Sequence, residues 1–493
     1  MNSRIYETIE NHIVSDKEFY ILLVISLKIR LIYSVMTDNY YYGGDIFARM
    51  EMAYRFNPIN TIMTGVDWPP AHVWLLKLFA LIFQDYLYAP RLVGIISDSL
   101  CSGFIYILGK RMFTRKVGIC AAFIHATFYL NVVLSSVTLS GPVFTAMMLG
   151  GIILLLEYQE DKKLKKLYLL SIILAYASWI RFEAWPINFF IGLYLIFRKE
   201  KMSRIFIYGL ITVTPIVGFL FYCYLKTGDP IHFLVFSDYE IKSATDRFNP
   251  GFWKYINRAF YMFPSTILSV GVISSLWFLK VKKYRFIHSV ILISFFISVY
   301  KLVNYTLIND PRYFLLFECW FLFVSFGFVS TIFKDRWRAL IIYILIIWTT
   351  GIYQTKKYIK DELDWHPIQF SIEQKKIFRY IKSHHNKERR YFVGDGINFI
   401  QTAITYNTGI KRRDIKCYSP ERFWLGQSLT IEKFRSCLEE RDVNTLISFP
   451  THNNDYGHLS KMIDSKEGQE LLKKYRFKLV YEVNGYRIHE IQK

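Results

Sequence analysis

Long apolar runs recur along this chain from Tyr20 to Ile352, and short clusters of basic residues separate them. A helix that crosses a bilayer needs ~20 mainly apolar residues. Hydrophobic residues make up 53% of the 493 positions, and the runs lack the amphipathic periodicity of helices that cover a soluble core. The sequence therefore predicts a polytopic integral membrane protein that contacts membrane lipid on many sides.

The basic clusters constrain how often the chain crosses the membrane. Basic residues concentrate in cytoplasmic loops, and this tendency accounts for the formal charge of +21 without a nucleic-acid partner. Each gap between consecutive clusters holds two apolar runs, so that all clusters can share the cytoplasmic side. The clusters are Lys110–Lys116, Lys162–Lys166, Arg198–Arg204, Lys280–Arg285 and Lys334–Arg338.

This parity argument predicts about 11 spans, with a cytoplasmic N-terminus and an extracytoplasmic C-terminal region. It excludes a crossing at Ala71–Phe83, a short run interrupted by Lys77, which we expect to lie in the outer interface as an amphipathic helix. The first run has no cleavage site and is typical of a signal anchor. The membrane is a plasma membrane or an endoplasmic reticulum. The predicted spans are 18–36, 90–109, 117–134, 142–158, 166–180, 184–197, 204–224, 262–279, 286–304, 313–333 and 337–353.

We expect two domains: a transmembrane domain over 1–353, whose first outer loop is 37–89, and an extracytoplasmic domain over 354–493. The fold class is mainly α, a polytopic helical bundle with juxtamembrane helices on its outer face and a small C-terminal α/β domain. In that domain, Asn484–Gly485 lies between alternating apolar residues and predicts a hairpin. Further predicted strands and helices are Tyr391–Val393, Leu446–Phe449, Ser371–His384 and Ile431–Arg441.

The six cysteines fall into two groups. Cys417 and Cys437 lie in the polar C-terminal region, where an extracytoplasmic location would allow them to pair. Two free thiols are the alternative, and the sequence leaves both open. The others lie in apolar runs and are predicted to be small buried hydrophobic residues: Cys101, Cys120, Cys223 and Cys319.

The first outer loop contains the candidate catalytic carboxylate. Asp45 follows Gly43–Gly44 and precedes residues at helical spacing, which places it at or near a helix N-terminus. An aspartate there is a good N-cap, and the alternative is a general base beside the membrane. Asp38 and Asp67 are the competing carboxylates of the loop.

The same loop holds candidates for contact with an acceptor or with the membrane interface. Trp68 precedes Pro69–Pro70, which stiffens the chain before the interfacial helix, and His72 follows. Aromatic residues concentrate at the headgroup depth of a bilayer. Simple membrane anchoring and contact with a lipid-linked substrate are both compatible with this segment.

Basic residues from three distant segments could meet a phosphate on the outer side. Lys28 and Arg30 lie inside the first span, where ionisable residues are costly and usually functional, although both side chains could instead extend to the interface. The other candidates lie at predicted outer turns, where a guanidinium could bind a phosphate, and are Arg181, Glu183, Arg312 and Tyr313.

These residues, in this order relative to the spans, resemble the GT-C superfamily of membrane glycosyltransferases, in particular its protein mannosyltransferase and aminoarabinose transferase branch. The resemblance covers Ile21 to about Val329. Its motifs are an outer acidic residue after the first span, a Pro-Pro segment before an interfacial helix, a serine-rich outer turn and two arginine-containing turns. They correspond to Asp45, Trp68–Trp74, Ser135–Pro142, Trp179–Glu183 and Arg312–Tyr313.

The resemblance implies transfer of a sugar from a polyprenyl-phosphate donor to a hydroxyl of a glycan, lipid or protein acceptor, with inversion at the anomeric carbon. It also implies that Asp45 is the base and that basic residues hold the lipid phosphate. Two positions depart from the pattern, because Ile46 follows Asp45 and Gly141 occupies the second acidic position. We therefore expect no metal or other cofactor, with a divalent cation as the less favoured alternative.

Two other functions remain open on the sequence alone. A carrier or flippase would move a lipid-linked sugar between leaflets without covalent change, and a non-catalytic glycan-assembly protein would need no general base. The chain lacks a Walker loop, a dinucleotide glycine fingerprint, an HExxH motif and a CxxC pair.

Overall fold

The computed structural model describes residues 16–36, 44–56, 63, 65, 68–85, 88–234, 265–304, 307, 311–362, 372–386, 388–394, 404, 408, 410, 414–418, 429–448 and 458–492. Contacts divide the chain into two compact units. The first comprises Met1–Asn39 and Phe56–Asp364, and the second comprises Tyr40–Arg55 and Trp365–Lys493.

The described part of the first unit is helical, and its helices follow the apolar runs of the sequence. Thr114 caps one of them, since its side chain accepts a hydrogen bond from the N–H of Val117. Gly228 ends another in the left-handed conformation that glycine favours. The helices are α1 (Lys17–Met36), α3 (Ala71–Ile82), α4 (Ala89–Met112), α5 (Arg115–Thr127), α6 (Tyr129–Ser135), α7 (Ser140–Asp161), α8 (Leu164–Ser178), α9 (Ala184–Phe197), α10 (Met202–Thr227), α11 (Ser265–Phe278), α12 (Arg285–Val303), α13 (Leu315–Ile332) and α14 (Trp337–Glu362). Helix α2 (Gly44–Arg55) belongs to the second unit.

Among the described residues, seven helices are long and apolar enough to cross a membrane, namely α1, α4, α7, α10, α12, α13 and the first part of α14. The pair α5 and α6 makes an eighth candidate if the two form one span, although they are bent by 62°. The three other predicted spans correspond to α8, α9 and α11, which are 15, 14 and 14 residues long. The prediction of a polytopic helical protein is therefore confirmed for seven to eight spans.

Helix α3 has 12 residues, which at 1.5 Å per residue is too short to cross a hydrocarbon core of ~30 Å. This agrees with the exclusion of Ala71–Phe83 from the predicted spans, and its place in the interface stays a prediction.

Close helix contacts depend on glycine at a few positions. A Cβ on Gly118 of α5 would lie 2.5 Å from Tyr106 O of α4, and a Cβ on Gly109 would lie 2.8 Å from the Cα of Gly118. A Cβ on Gly94 would lie 2.5 Å from Ser135 O, where α6 ends. Small residues of this kind allow membrane helices to approach closely, and here they hold α4 against α5 and α6.

The five basic loops contact one another at one end of the first unit. Acidic residues of α7 and of later loops join them through ion pairs. The joining pairs are Arg111–Glu160, Lys283–Glu160, Lys162–Glu200 and Lys116–Asp335. The basic clusters therefore share one end of the bundle, which is the arrangement that the parity argument requires.

The second unit contains a mixed sheet with helices around it. Its five described strands are ordered β2-β1-β3-β5-β4, with β1 parallel to β2 and β3, and β5 antiparallel to β3 and β4. The strands are β1 (Tyr391–Val393), β2 (Ile415–Tyr418), β3 (Thr445–Ser448), β4 (Phe477–Val483) and β5 (Tyr486–Ile491). The helices are α15 (Ile372–His384), α16 (Ile431–Glu439), α17 (His458–Asp464) and α18 (Lys466–Lys474). The predicted small C-terminal α/β domain is confirmed as a mixed sheet with helices.

In this unit the structure confirms the predicted hairpin and decides between the two alternatives for its cysteines. Asn484 and Gly485, with φ values of 45° and 80°, form the turn between β4 and β5, as the predicted hairpin requires. Cys417 of β2 and Cys437 of α16 form a disulfide with a Cα–Cα distance of 6.0 Å. The disulfide resolves the alternative that the sequence left open.

Candidate functional site

The turn between α8 and α9 carries Arg181 and Glu183, and hydrogen bonds hold its backbone. The N–H of Arg181 donates to Ala177 O at 3.0 Å. The side-chain amide of Asn188, on α9, donates to Ser178 Oγ at 2.7 Å. Because hydrogen bonds tie both helices to the turn, the backbone that carries Arg181 and Glu183 is held in position.

Arg181 lies against a carboxylate and two aromatic rings. Its Nε donates to Glu183 Oε1 at 3.1 Å and to Oε2 at 3.2 Å, and a terminal nitrogen donates to the same carboxylate. The guanidinium carbon lies 4.9 Å from the ring centroid of Tyr313 and 5.9 Å from that of Phe144, within the range of cation–π attraction. The structure thus brings together three predicted site residues from two separate segments: Arg181, Glu183 and Tyr313.

The two partners differ in exposure, and this difference matters for a ligand. The Arg181 side chain is 11% exposed and the Glu183 side chain 39% exposed. Burial raises the pKa of the Glu183 carboxyl, but the attraction and hydrogen bonds of Arg181, together with smaller lowering effects, outweigh it, so that the net shift is downward. Lys301 also lowers this pKa. The sequence analysis did not single out Lys301, although a lysine in the last turn of a predicted span, α12, was an available signal.

The segment Trp68–Pro70 leads into α3, and α3 begins beside the same turn. The N–H of Ala71 donates to Trp179 O at 2.9 Å. The rings of Trp74 and Trp179 meet edge to face with centroids 4.8 Å apart. His72 is fully buried and Trp68 is half-buried. The Pro-Pro segment and the α8–α9 turn are therefore neighbours in the first unit.

Aromatic side chains support the turn from α10 and the segment that follows it. Phe182 and Phe233 stack with ring centroids 4.3 Å apart. The indole N–H of Trp179 donates to Pro215 O of α10 at 2.6 Å. The cluster includes Met63, Phe182, Trp185, Phe219 and Phe233.

Arg30, a predicted phosphate contact, lies instead in a buried network. Its side chain is fully buried and pairs with Asp98 of α4, to which Nε donates at 2.8 Å. It also donates to Ser26 Oγ at 2.6 Å, to Ala126 O at 3.1 Å and to His125 O at 3.3 Å. These contacts give Arg30 a structural role, and it is not retained among the phosphate contacts. Lys28 is exposed on another side of α1.

Of the three predicted carboxylates of the first outer loop, Asp45 lies within the described helix α2. Asp45 is the second residue of α2, near the helix N-terminus as predicted, and its side chain is outside the described residues. Asp38 and Asp67 also lie outside the described residues. Arg312 lies in a 3₁₀ turn, Pro311–Phe314, and its side chain is not among those that the structure describes.

Gly141, where the sequence lacked a second carboxylate, is buried at the start of α7. Among the described residues, one group of His, Cys, Asp or Glu side chains has ligand atoms close enough to hold a metal, and it consists of His125, Glu318 and Cys319. This group belongs to the interior of the first unit rather than to the α8–α9 turn.

One family model and several solved structures are similar to this chain. Residues 67–222, which include α3 and most of α10, match the family model described as dolichyl-phosphate-mannose-protein mannosyltransferase. A comparison with curated proteins found no match.

The solved structures similar to this chain include two kinds of enzyme. One is ArnT from Cupriavidus metallidurans bound to undecaprenyl phosphate, with a TM-score of 0.57, 9% identity, and coverage of 95% of this chain and 97% of that chain. Another is the Archaeoglobus fulgidus oligosaccharyltransferase tethered with an acceptor peptide containing the NVT sequon, with a TM-score of 0.54, 12% identity, and coverage of 97% and 74%. At these identities the structural likeness shows a shared fold.

Proposed function

Since the chain has the GT-C membrane glycosyltransferase fold and a region of the dolichyl-phosphate-mannose-protein mannosyltransferase family, we propose that it is an inverting glycosyltransferase. Its donor is a sugar on a polyprenyl phosphate, and its acceptor is a hydroxyl group on a glycan, lipid or protein. The reaction takes place on the extracytoplasmic or lumenal face.

The observation that carries this proposal is the placement of Arg181, Glu183 and Tyr313 beside the start of α3. Glu183 fixes the plane of the guanidinium and is the more exposed partner. A lipid phosphate presents oxygen atoms that can take the same bidentate contacts, so that it can displace the carboxylate. Arg312 adds a second positive residue next to Tyr313 in the sequence.

The proposed reaction follows from these roles. Asp45 accepts the proton of the acceptor hydroxyl, and the hydroxyl oxygen attacks the anomeric carbon of the donor. The bond between that carbon and the phosphate oxygen breaks on the opposite face, which inverts the configuration. Polyprenyl phosphate leaves with the electron pair, and Arg181 stabilises the negative charge that develops on it.

The orientation of the chain is part of the proposal. Positive residues favour the cytoplasmic side, which assigns the end with the basic loops to the cytoplasm and the α8–α9 turn to the opposite side. A disulfide in the second unit fits an oxidising compartment. We therefore assign 1–353 to a transmembrane catalytic domain with about 11 spans, and 354–493 to an extracytoplasmic domain that shapes access of the acceptor.

The test of the proposed base is turnover by purified Asp45→Asn protein with a polyprenyl-phosphate sugar labelled in the sugar. Loss of a general base is expected to lower turnover about 10²–10⁴-fold. Asparagine is as good as aspartate at a helix start, so that α2 is preserved. The matched control is Asp442→Asn, an exposed carboxylate of the same unit with a φ of 53° that asparagine also accepts.

The outcomes separate the proposed function from its alternatives. Near-normal turnover by Asp45→Asn would reject Asp45 as the base. Movement of labelled lipid across vesicle leaflets by wild-type protein, without release of polyprenyl phosphate, would instead support a carrier.

A further inference from the structure

Ligand-type side chains meet in the interior of the first unit, between α5 and α13. His125, Glu318 and Cys319 each offer one ligand atom, and these atoms all lie within 4.8 Å of one another. All three residues are fully buried. Nitrogen, oxygen and sulfur ligands at this spacing are the set that Zn²⁺ accepts in proteins.

Two polar atoms of this group lack a hydrogen-bond partner among the described residues. His125 Nε2 and Glu318 Oε1 are buried and accept or donate no hydrogen bond within the described chain. The nearest carboxylate oxygen to His125 Nε2 is Asp98 Oδ1, at 3.6 Å. A buried polar atom without a partner costs about 1–3 kcal/mol, and such atoms are few in native proteins. Their presence on two neighbouring ligand-type residues points to a shared ligand.

The other ring nitrogen of His125 is already oriented. His125 Nδ1 and Ser102 Oγ are 2.9 Å apart, and Ser102 Oγ lies 3.0 Å from Ser26 Oγ. Arg30 donates to Ser26 Oγ and to the carbonyl oxygen of His125. With the Nδ1 proton donated to Ser102, the lone pair of Nε2 is available. Metal-binding histidines usually have their second nitrogen held in this way.

Charge balance in the bundle interior is compatible with a divalent cation that replaces two protons. Arg30 and Asp98 neutralise each other. Among the residues that the structure describes, Glu318 has no ion-pair partner, and Asn131 Nδ2 donates to its Oε2 at 3.3 Å. An ionised carboxylate without a cation is costly in such surroundings, so that Glu318 holds its proton until a metal ion replaces it. A Zn²⁺ ion bound to the Glu318 carboxylate and the Cys319 thiolate makes the group neutral.

We propose that His125, Glu318 and Cys319 form a structural Zn²⁺ site that joins α5 to α13. Tetrahedral Zn²⁺ with bonds of about 2.0–2.3 Å holds its ligand atoms about 3.3–3.8 Å apart, so that the group closes by about 1 Å on binding. The protons displaced from the thiol and the carboxylic acid pass to the solvent. Water or Asn131 Oδ1, which is also buried without a partner, takes the fourth position.

The test measures metal rather than sugar transfer, so that its result is independent of the proposed function. Full-length protein is purified in detergent from cells grown with added zinc, and its metal content is measured by mass spectrometry. We expect about one Zn²⁺ per chain. We expect less than about a tenth of that in Cys319→Ser and in Glu318→Gln.

Matched controls use residues of the same kinds outside the group. Cys120→Ser changes a free buried cysteine of α5, and His288→Gln changes a buried histidine of α12. Both variants should keep the full zinc content. Retention of zinc by Cys319→Ser would overturn the assignment.

A second measurement needs no variant and therefore does not depend on any variant folding. Wild-type protein from cobalt-grown cells should show thiolate-to-cobalt charge-transfer absorption. The cysteines of the second unit are paired in a disulfide and do not supply a thiolate. Wild-type protein without zinc after growth in zinc, and without this absorption after growth in cobalt, would reject the site.

Discussion

Arg30 and Arg181 are both paired with a carboxylate in the first unit, yet the two pairs are built in opposite ways. Arg30 is fully buried, and its partner Asp98 is 68 positions away in sequence. Arg181 binds Glu183, two positions away on the same turn, and that carboxylate is 39% exposed.

The difference favours Arg181 over Arg30 as the arginine that contacts a ligand. Arg30 donates hydrogen bonds to groups of α1, α4 and α5. Opening a space for a ligand beside it would therefore break contacts among three helices. Glu183 reaches Arg181 from the same turn and can move away without changing the fold around it. A buried pair between distant segments therefore acts in structure, whereas a local and partly exposed pair suits exchange with a phosphate.

The largest effect should follow from breaking the buried pair. We predict that Arg30→Met destabilises the protein by about 3–5 kcal/mol, because Asp98 would remain as an unpaired buried charge. The free energy of unfolding in mixed detergent micelles measures this effect.

The double variant Arg30→Met with Asp98→Leu is the control for this prediction. It removes both charges and should recover most of the lost stability, since apolar residues can replace a buried ion pair at little cost. If Arg30→Met alone is as stable as wild type, the pair of Arg30 and Asp98 does not stabilise the fold.

The apolar runs predicted helix positions to within a few residues, because the bilayer requirement acts on local composition. The apolar runs did not predict the break in the span at 117–134. There α5 ends at Thr127 and α6 begins at Tyr129. Neither proline nor glycine lies at this break. Arg30 donates to the carbonyls of His125 and Ala126 in the last turn of α5, and such contacts satisfy carbonyls that a continued helix would have bonded.

The site was predictable to the extent that it lies on turns. The sequence placed Arg181 and Tyr313 at two outer turns, and the structure brings their side chains together. The role of Arg30 was not predictable, because its choice between a lipid phosphate and Asp98 depends on how α1 packs against α4. Sequence spacing contains no information about that packing.

An intermediate effect should follow from changing the arginine of the partly exposed pair. We predict that Arg181→Ala lowers kcat/KM about 100-fold, which corresponds to about 2.7 kcal/mol, because the leaving phosphate loses a bidentate contact. Arg181→Lys should restore only part of the activity, since an ammonium group cannot reproduce the planar fork. Stability should change by no more than about 1 kcal/mol.

A matched pair at the other end of the bundle provides the control. Arg204 binds Glu200 at 3.3 Å with a partly exposed side chain. Arg204→Ala should retain wild-type kcat/KM. Equal losses in the two arginine variants would mean that activity follows general stability rather than contact with the donor.

The smallest effect concerns the pH dependence of the Arg181–Glu183 pair. The pKa of Glu183 is lowered, because the raising effect of burial is outweighed by the combined lowering effects, of which the attraction to Arg181 comes first. A carboxyl with a lowered pKa in the folded state adds stability above its unfolded pKa of ~4.3, and that stability is lost as the pH falls through the folded pKa. We therefore expect the free energy of unfolding of wild type to exceed that of Glu183→Gln by no more than about 1 kcal/mol at pH 7. The difference should shrink toward pH 3. A difference that stays constant from pH 7 to pH 3 would mean that the charge of Glu183 does not hold Arg181 in place. In that case the carboxylate would hold Arg181 only through its hydrogen bonds, which glutamine partly preserves. The negative charge of a phosphate would then not be enough to displace Glu183 from Arg181.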